Sequence, residues 1–257
     1  MNLTDTHTHL HFDQYQSDID AVIERARVEN IQRILTLGTN LESSRASLEI
    51  AKKFDFVFAA AGIHPTDILG TQPEDSLKIK ELAHKEQKIL AIGEIGLDLY
   101  WKEVPLDKQL PVFGKMLEIA EELDYPVVIH NREAHVEMRK FFLERSISAL
   151  KGVMHSFSGT VEDARFYLER GLHISFTGVV TFKNFRELDV VKTIPIDRLL
   201  LETDSPFLTP EPFRGNRNEP SNVKFIAQKL SEIYNLSLQE IGEITCQNAN
   251  RLFSWGG

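Results

Sequence analysis

Short apolar runs rich in Val, Ile and Leu alternate along the whole chain with segments whose apolar residues recur at helical spacing. This alternation is typical of repeated strand-helix-strand units, in which strands buried on both faces read as short apolar runs. It predicts eight strands: Leu3–Thr8, Arg33–Leu37, Phe56–Ala61, Ile89–Ile92, Pro126–Ile129, Gly152–Met154, His173–Phe176 and Leu199–Leu201.

Capping residues indicate where several of the intervening helices begin. Thr160 precedes an acidic first turn, and Pro105 can open the helix that leads to the fifth strand. After the eighth strand, Pro210–Pro220 reads as a polar loop rich in Pro and Gly, and helices are expected at about Asn222–Tyr234 and Leu238–Phe253.

Neither a linker nor a shift in composition marks a second domain in the 257 residues. Such a regular alternation of strands and helices over this length favours the α/β class. It predicts a (β/α)8 TIM-like barrel that forms a single domain over residues 1–257. A doubly wound open sheet is the alternative architecture, because it is built from the same units.

Charge and composition narrow the function classes. The net charge of -9 argues against an extended electrostatic track for duplex nucleic acid, although carboxylates that bind cations also contribute to this count. No apolar run is long enough to cross a membrane, and the N-terminus lacks a charged and then apolar secretory pattern. We therefore expect a cytoplasmic protein, and the single cysteine, Cys246, excludes an intrachain disulfide.

Histidines and carboxylates recur at the ends of the predicted strands. His7 and His9 are two positions apart, so a strand directs both imidazoles to the same face, although this pair alone is equally compatible with a structural role. Four other apolar runs are followed closely by a histidine or a carboxylate: Glu94, His130, His155 and Asp204. Because the C-terminal strand ends of a barrel meet at one face, this coincidence favours a shared site.

Four imidazoles and two carboxylates are too many for one tetrahedral zinc ion and suit two cations that share a ligand. Glu94 is the preferred bridge, because each of its two oxygens can bind one cation. Taken singly, Glu94 could instead cap a turn, and His130 and His155 could be core histidines bonded to the backbone.

In this order, the residues resemble those of the TatD family of metal-dependent deoxyribonucleases. The similar blocks cover nearly the whole chain: Asp5–Leu10, Gly62–Pro65, Ile92–Asp98, Val128–Ala134, His155–Gly159, Glu202–Pro206 and Asn248–Phe253. The resemblance implies a TIM-like barrel, two divalent cations such as Mg, Mn or Zn, and hydrolysis of DNA phosphodiester bonds, often from an end. One departure is Leu99, where relatives often have an aromatic residue, and it bears on substrate contacts only.

The resemblance also implies which residues bind each cation. The first would be held by His7, His9, Glu94 and Asp204, and the second by Glu94, His130 and His155. Water activated by the two cations would then attack the phosphodiester. Asp204 is expected either to accept a proton from that water or to act as a ligand alone.

Several residues near these ligands are candidates for holding the substrate. Arg132 can bind phosphate oxygens through two N–H groups, and aromatic side chains can stack on a nucleobase. The predicted substrate-binding residues are Arg132, His64, Tyr100, Trp101, Arg214 and Arg217. A simple turn at His64, packing of the two aromatics and a solvated loop around the last two arginines are the structural alternatives. Asp5 could orient an imidazole.

Three function classes follow from this pattern. The first is a two-metal deoxyribonuclease, expected to be a monomer that acts on single-stranded or frayed DNA ends, with Asp204 and Glu94 as catalytic residues. The second is an amidohydrolase-like enzyme for a small cyclic amide or ester, but such barrels often use a carboxylated lysine where this chain has Glu94. The third is a non-catalytic barrel stabilised by its metals.

Overall fold

The computed structural model describes residues 2–255, in which eight strands alternate with helices. The strands are β1 (Leu3–Thr8), β2 (Ile31–Leu37), β3 (Val57–Ala61), β4 (Ile89–Asp98), β5 (Val127–Arg132), β6 (Gly152–Met154), β7 (His173–Phe176) and β8 (Leu199–Leu201). The α-helices are α1 (Ile19–Val28), α2 (Leu41–Lys53), α3 (Asp75–Lys85), α4 (Leu106–Leu123), α5 (His135–Glu144), α6 (Val161–Glu169), α7 (Leu188–Thr193), α8 (Val223–Tyr234) and α9 (Leu238–Phe253).

All eight strands are parallel and pair in sequence order, from β1 to β8. The first strand meets the segment that follows the last one: the amide of Asp204 donates to the carbonyl of His7 at 2.9 Å, and the amide of His9 donates to the carbonyl of Ser205 at 2.7 Å. These bonds close the sheet, so the predicted (β/α)8 barrel is confirmed. Within residues 2–255, no helix has both the length and the apolar composition needed to cross a membrane.

The predicted bounds of β1, β6, β7 and β8 are confirmed, and small shifts occur at the starts of β2, β3 and β5. The predicted ends of the fourth and fifth strands, at Ile92 and Ile129, were wrong. The two strands stay paired beyond those residues, with Gly96 opposite His130 and Asp98 opposite Arg132. Polar residues there do not end the strands, because their backbones continue the ladder while their side chains face the barrel mouth.

The barrel interior forms its own apolar cluster. Alternate strand residues such as Leu35, Phe58 and Val128 pack together there. Phe253, the last residue of α9, and Trp255, which follows it, cover them at the N-terminal end of the barrel. The ring of Trp255 lies 5.2 Å from that of Phe58 and 5.0 Å from that of Phe253, measured between centroids. This plug closes the N-terminal end of the barrel and leaves the opposite mouth for function.

Gly96 allows β4 to approach β5 closely at the level of His130. Its φ is +147°, and an added Cβ would lie 1.9 Å from the carbonyl oxygen of His130. Only glycine combines this backbone conformation with such a short separation. The position of His130 therefore depends on the missing side chain at residue 96.

Candidate metal centre

Strand β1 and the residues after it bring two imidazoles into the barrel mouth. His7 is fully buried and His9 is 4% exposed, and their Nε2 atoms lie 3.2 Å apart. His9 Nδ1 lies 3.1 Å from the carbonyl oxygen of Leu37, and a carbonyl can only accept, so this nitrogen carries the proton. The Nε2 atom of His9 is then left with a lone pair that faces into the site.

Two carboxylates complete this first group. Glu94 Oε2 lies 3.4 Å from His7 Nε2 and 3.3 Å from His9 Nε2, while Asp204 Oδ1 lies 3.6 Å and 3.5 Å from the same two nitrogens. Zinc-ligand bonds of about 2.0–2.2 Å place the donors of a tetrahedral site roughly 3.4 Å apart. Each of the two nitrogens thus lies from both carboxylate oxygens at the separation expected between ligands of one cation.

The backbone of Asp204 aims its carboxylate into this group. Its φ is +54°, the left-handed region that non-glycine residues rarely adopt, and the bond from its amide to His7 holds it there. Such conformations concentrate at functional sites because the surrounding structure must stabilise them.

A second group lies on the other oxygen of Glu94. Glu94 Oε1 is 2.9 Å from His130 Nδ1, 2.9 Å from His155 Nε2 and 3.5 Å from His64 Nε2. The two nitrogens of His130 and His155 are 3.4 Å apart. Glu94 therefore stands between two sets of imidazoles, with one oxygen toward each, which is the arrangement expected for a bridging ligand.

Further carboxylates support these imidazoles from behind. Asp98 Oδ2 lies 2.9 Å from His130 Nε2, and Glu202 Oε1 lies 3.3 Å from His155 Nδ1. Both carboxylates are buried, with 1% and 0% of their surface exposed. The hydrogen bond between Asp98 and His130 fixes which nitrogen of His130 carries the proton and therefore which one can bind a metal, whereas Glu202 places a negative charge beside His155.

The charges of the site favour ionised carboxylates. Burial opposes the charge of Glu94, but the imidazoles of His155 and His64 outweigh it and hold the pKa of Glu94 well below its usual range. Burial also opposes the charge of Asp204, but the neighbouring imidazoles of His9 and His7 lower the pKa of Asp204. Both groups are thus in the form that a divalent cation requires of its ligands.

The donor set fits divalent cations. Three groups of residues each have donor atoms within 4.8 Å of one another, and they consist of His7, His155 and Asp204, of His7, His9 and Glu94, and of His64, Glu94 and His130. Mixed imidazole and carboxylate ligands suit Zn, Mn and related ions. The six predicted ligands therefore lie together, and His64, predicted from sequence to contact substrate, lies with them.

A cavity of about 990 Å³ opens above this centre. Arg132 and Trp101 line it, as predicted for substrate contacts, and Trp101 is 50% exposed. The guanidinium carbon of Arg132 lies 3.7 Å from the ring centroid of Tyr100, so one face of that ring is covered. Phe12 and Phe207 also line the cavity, on the side of His9.

Tyr100, Arg214 and Arg217 are not among the described residues that line this cavity, so their contact with substrate stays a prediction. Arg217 binds Asp18 at 2.7 Å and lies over the ring of Tyr15, so its charge is already compensated. Arg214 packs over Phe182, with its guanidinium carbon 3.7 Å from the ring centroid. The loop after β8 lies at the correct end of the barrel, but its arginines are used to hold the loop.

Asp5 also differs from its expected role. Its carboxylate accepts hydrogen bonds from the amide of Thr203 at 2.9 Å, the hydroxyl of Thr203 at 2.6 Å and the amide of His7 at 3.3 Å. These bonds tie β1 to the segment after β8, and none of them involves an imidazole. Burial raises the pKa of Asp5 to about 8 in spite of these bonds.

Sequence reasoning missed Asp98, Glu202, Phe12 and Phe207. A detectable signal existed for Asp98, because the alternation of a strand continued past Gly93 places Glu94, Gly96 and Asp98 on one face. Glu202 follows β8 directly, yet nothing in the sequence separates a buried acid from a solvated one there.

Comparison with known proteins agrees with this fold and site, which together define a metal-dependent hydrolase built on a barrel. Residues 4–254 match the family described as TatD related DNase. The chain is 45% identical to a Bacillus subtilis protein named uncharacterized metal-dependent hydrolase YabD, with 98% of each chain covered. It is 35% identical to the 3′-5′ ssDNA/RNA exonuclease TatD of Erwinia tasmaniensis, with 99% of this chain and 98% of the relative covered.

A solved structure agrees as well. The crystal structure of YJJV, a TatD homologue from Escherichia coli, superposes with a TM-score of 0.92 at 28% identity, and 98% of each chain is covered. The chain belongs to the TatD family of metal-dependent hydrolases.

Proposed function

We propose that this protein is a deoxyribonuclease that hydrolyses the phosphodiester bond at an end of single-stranded DNA with the help of two divalent cations. The observation that carries the proposal is Glu94, whose Oε2 faces His7 and His9 and whose Oε1 faces His130 and His155. The relative from Erwinia tasmaniensis, named as an exonuclease for single-stranded DNA and RNA, supports the choice of substrate.

In this proposal His7, His9, Glu94 and Asp204 would hold the first cation, and Glu94, His130 and His155 would hold the second. His64 Nδ1 accepts a hydrogen bond from the amide of Thr66, so its Nε2 carries the proton and can donate to Glu94 or to a phosphate. Divalent cations supply two kinds of chemistry in such a site, because they lower the pKa of water and neutralise charge on phosphoryl oxygens.

The chain's own residues orient the reactants. Asp204 is the group we assign to accept the proton of the attacking water, because its side chain is 15% exposed at the cavity whereas that of Glu94 is only 4% exposed. Arg132 can hold a phosphate oxygen pair through its N–H edge, since stacking on Tyr100 occupies only the flat face of the guanidinium. Trp101 is the aromatic residue that lines the cavity beside Arg132.

The experiment compares linear and circular single-stranded DNA of the same sequence, with Mg or Mn added. We expect the linear strand to be shortened from an end and the circular strand, which has no end, to persist. Asp204→Asn and Glu94→Gln preserve side-chain shape, and each is expected to lower the rate on the linear strand at least about 100-fold, the loss seen when one group for charge stabilisation is removed from an active site.

Glu42→Gln is the matched control, because Glu42 lines the same cavity but belongs to neither set of donors. It should leave the rate within about twofold of the parent enzyme, since exposed charges contribute little. Equal degradation of circular DNA, or full activity of Asp204→Asn, would contradict the proposal. Turnover of dihydropyrimidines or lactones with DNA left intact would favour the amidohydrolase-like alternative.

A cytoplasmic location and a monomeric state remain predictions from the sequence. Both can be tested together, by fractionating cells that express the tagged chain and by measuring the molar mass of the purified protein in solution.

A further inference from the structure

Two phenylalanines form an apolar wall on one side of the cavity. Phe207 is 47% exposed, and its ring centroid lies 5.6 Å from that of Phe12 in an edge-to-face arrangement. Both rings line the cavity, together with Val179 and Leu208. A half-exposed aromatic ring in a cavity is a surface that a ligand can still cover.

This wall is attached directly to the metal centre. The amide of Phe207 donates to the carbonyl of Asp204 at 2.9 Å, and the amide of Phe12 donates to the carbonyl of His9 at 3.3 Å. The rings of Phe12 and Phe207 lie 5.4 Å and 6.5 Å from the ring of His9. The wall is therefore the apolar surface beside the first set of donors. If the cations hold the phosphate of a nucleotide there, its base can contact this wall.

Elsewhere in the cavity the exposed aromatic ring is Trp101, which lies beside Arg132 and not beside the first set of donors. One face of Tyr100 is covered by Arg132, and Tyr100 does not line the cavity. The side formed by Glu42 and Asp67 carries carboxylates, and Asp67 already accepts hydrogen bonds from Thr39 and Asn40 at 2.8 Å. Phe12 and Phe207 are thus the pair of apolar rings that a neutral, flat group meets beside His9 and the first set of donors.

We propose that Phe12 and Phe207 form the subsite that stacks the base of the terminal nucleotide. The inference rests on the proposed nuclease function and adds a residue-level basis for substrate choice. Stacking on an aromatic side chain tolerates every base, so the subsite would select nucleotides over other phosphate esters without selecting a sequence.

The test measures binding by calorimetry in the metal-loaded protein, with thymidine 5′-monophosphate and the base-free deoxyribose 5-phosphate as ligands. The parent protein should bind the nucleotide more tightly than the sugar phosphate by about fivefold or more, the lower end of measured stacking effects. Phe207→Leu should remove most of this difference and leave the affinity for the sugar phosphate unchanged. Phe12→Leu is the second variant and should act in the same direction.

Phe213→Leu is the matched control, because Phe213 is 42% exposed, packs on Phe225 and lies outside the cavity. It should keep the ratio of the two affinities. The inference is overturned by an unchanged ratio in both Phe207→Leu and Phe12→Leu, or by an equal loss for both ligands. Base-dependent binding without DNA cleavage would contradict the nuclease function alone, whereas DNA cleavage with base-independent binding would contradict the subsite alone.

Discussion

Replacing Asp98 by asparagine tests how the chain prepares His130 to bind a cation. The carboxylate accepts a hydrogen bond from His130 Nε2 through Oδ2, which leaves Nδ1 free to face Glu94. The other oxygen, Oδ1, accepts from the amides of Tyr100 and Trp101 at 2.9 Å. In Asp98→Asn the side-chain oxygen can keep the two amide bonds, but the NH2 group would then face His130 Nε2 and favour the tautomer protonated on Nδ1.

The expected cost follows from this change of tautomer. Loss of a group that orients a metal-bound histidine weakens metal binding by about 10- to 100-fold, or roughly 1.4–2.8 kcal/mol. Only the cation near His130 should be affected, because the donors of the first group have no contact with Asp98 in the described structure. Titration of metal-free protein with Mn or Zn should therefore show one weakened and one unchanged step.

The control for this variant is Asp163→Asn. Asp163 is also a buried carboxylate, but it caps α6 and lies away from the metal centre. It should lower stability without changing either binding step. If Asp98→Asn binds both cations as the parent does, the orienting role of Asp98 is wrong.

Two further predictions concern the fold and the substrate. Gly96→Ala should lower the free energy of unfolding by at least about 1–3 kcal/mol, the cost of backbone strain, because the added Cβ would also clash with the carbonyl oxygen of His130. Gly70→Ala, whose Cβ would meet nothing within 4 Å, should not have this effect, and equal denaturation midpoints for the two variants would contradict the prediction. Arg132 is the only Lys or Arg among the described cavity residues, so few phosphates can be neutralised by side chains. We therefore expect kcat/KM on single-stranded DNA to fall less than about tenfold between roughly 50 and 200 mM salt. A hundredfold fall would indicate instead that a row of Lys and Arg side chains binds the DNA backbone.

The strands were predictable because burial on both faces leaves a distinct apolar run. In β4 and β5 the apolar run stops where the polar residues of the site begin, but the strand continues. For this reason both strands were predicted to end early. The backbone of β4 continues to Asp98, since its pairing with β5 does not depend on the polarity of the side chains. Period-two alternation is the better guide in such segments than hydrophobicity.

The convergence of the six ligands was predictable from barrel geometry, which brings all C-terminal strand ends to one face. The arginines after β8 show the limit of that reasoning, because Arg217 lies at the predicted end of the barrel but binds Asp18. Which neighbour a long flexible side chain selects depends on tertiary contacts across 199 positions of sequence. The same holds for Phe12 and Phe207, which meet only in the folded chain.

The most direct measurement is the number of divalent cations per chain, determined by elemental analysis of the purified protein and of Glu94→Gln. The account predicts two cations per parent chain and at most one in the variant, because one residue supplies an oxygen to each set of donors. A single cation in the parent protein, or two retained in Glu94→Gln, would contradict a centre bridged by Glu94.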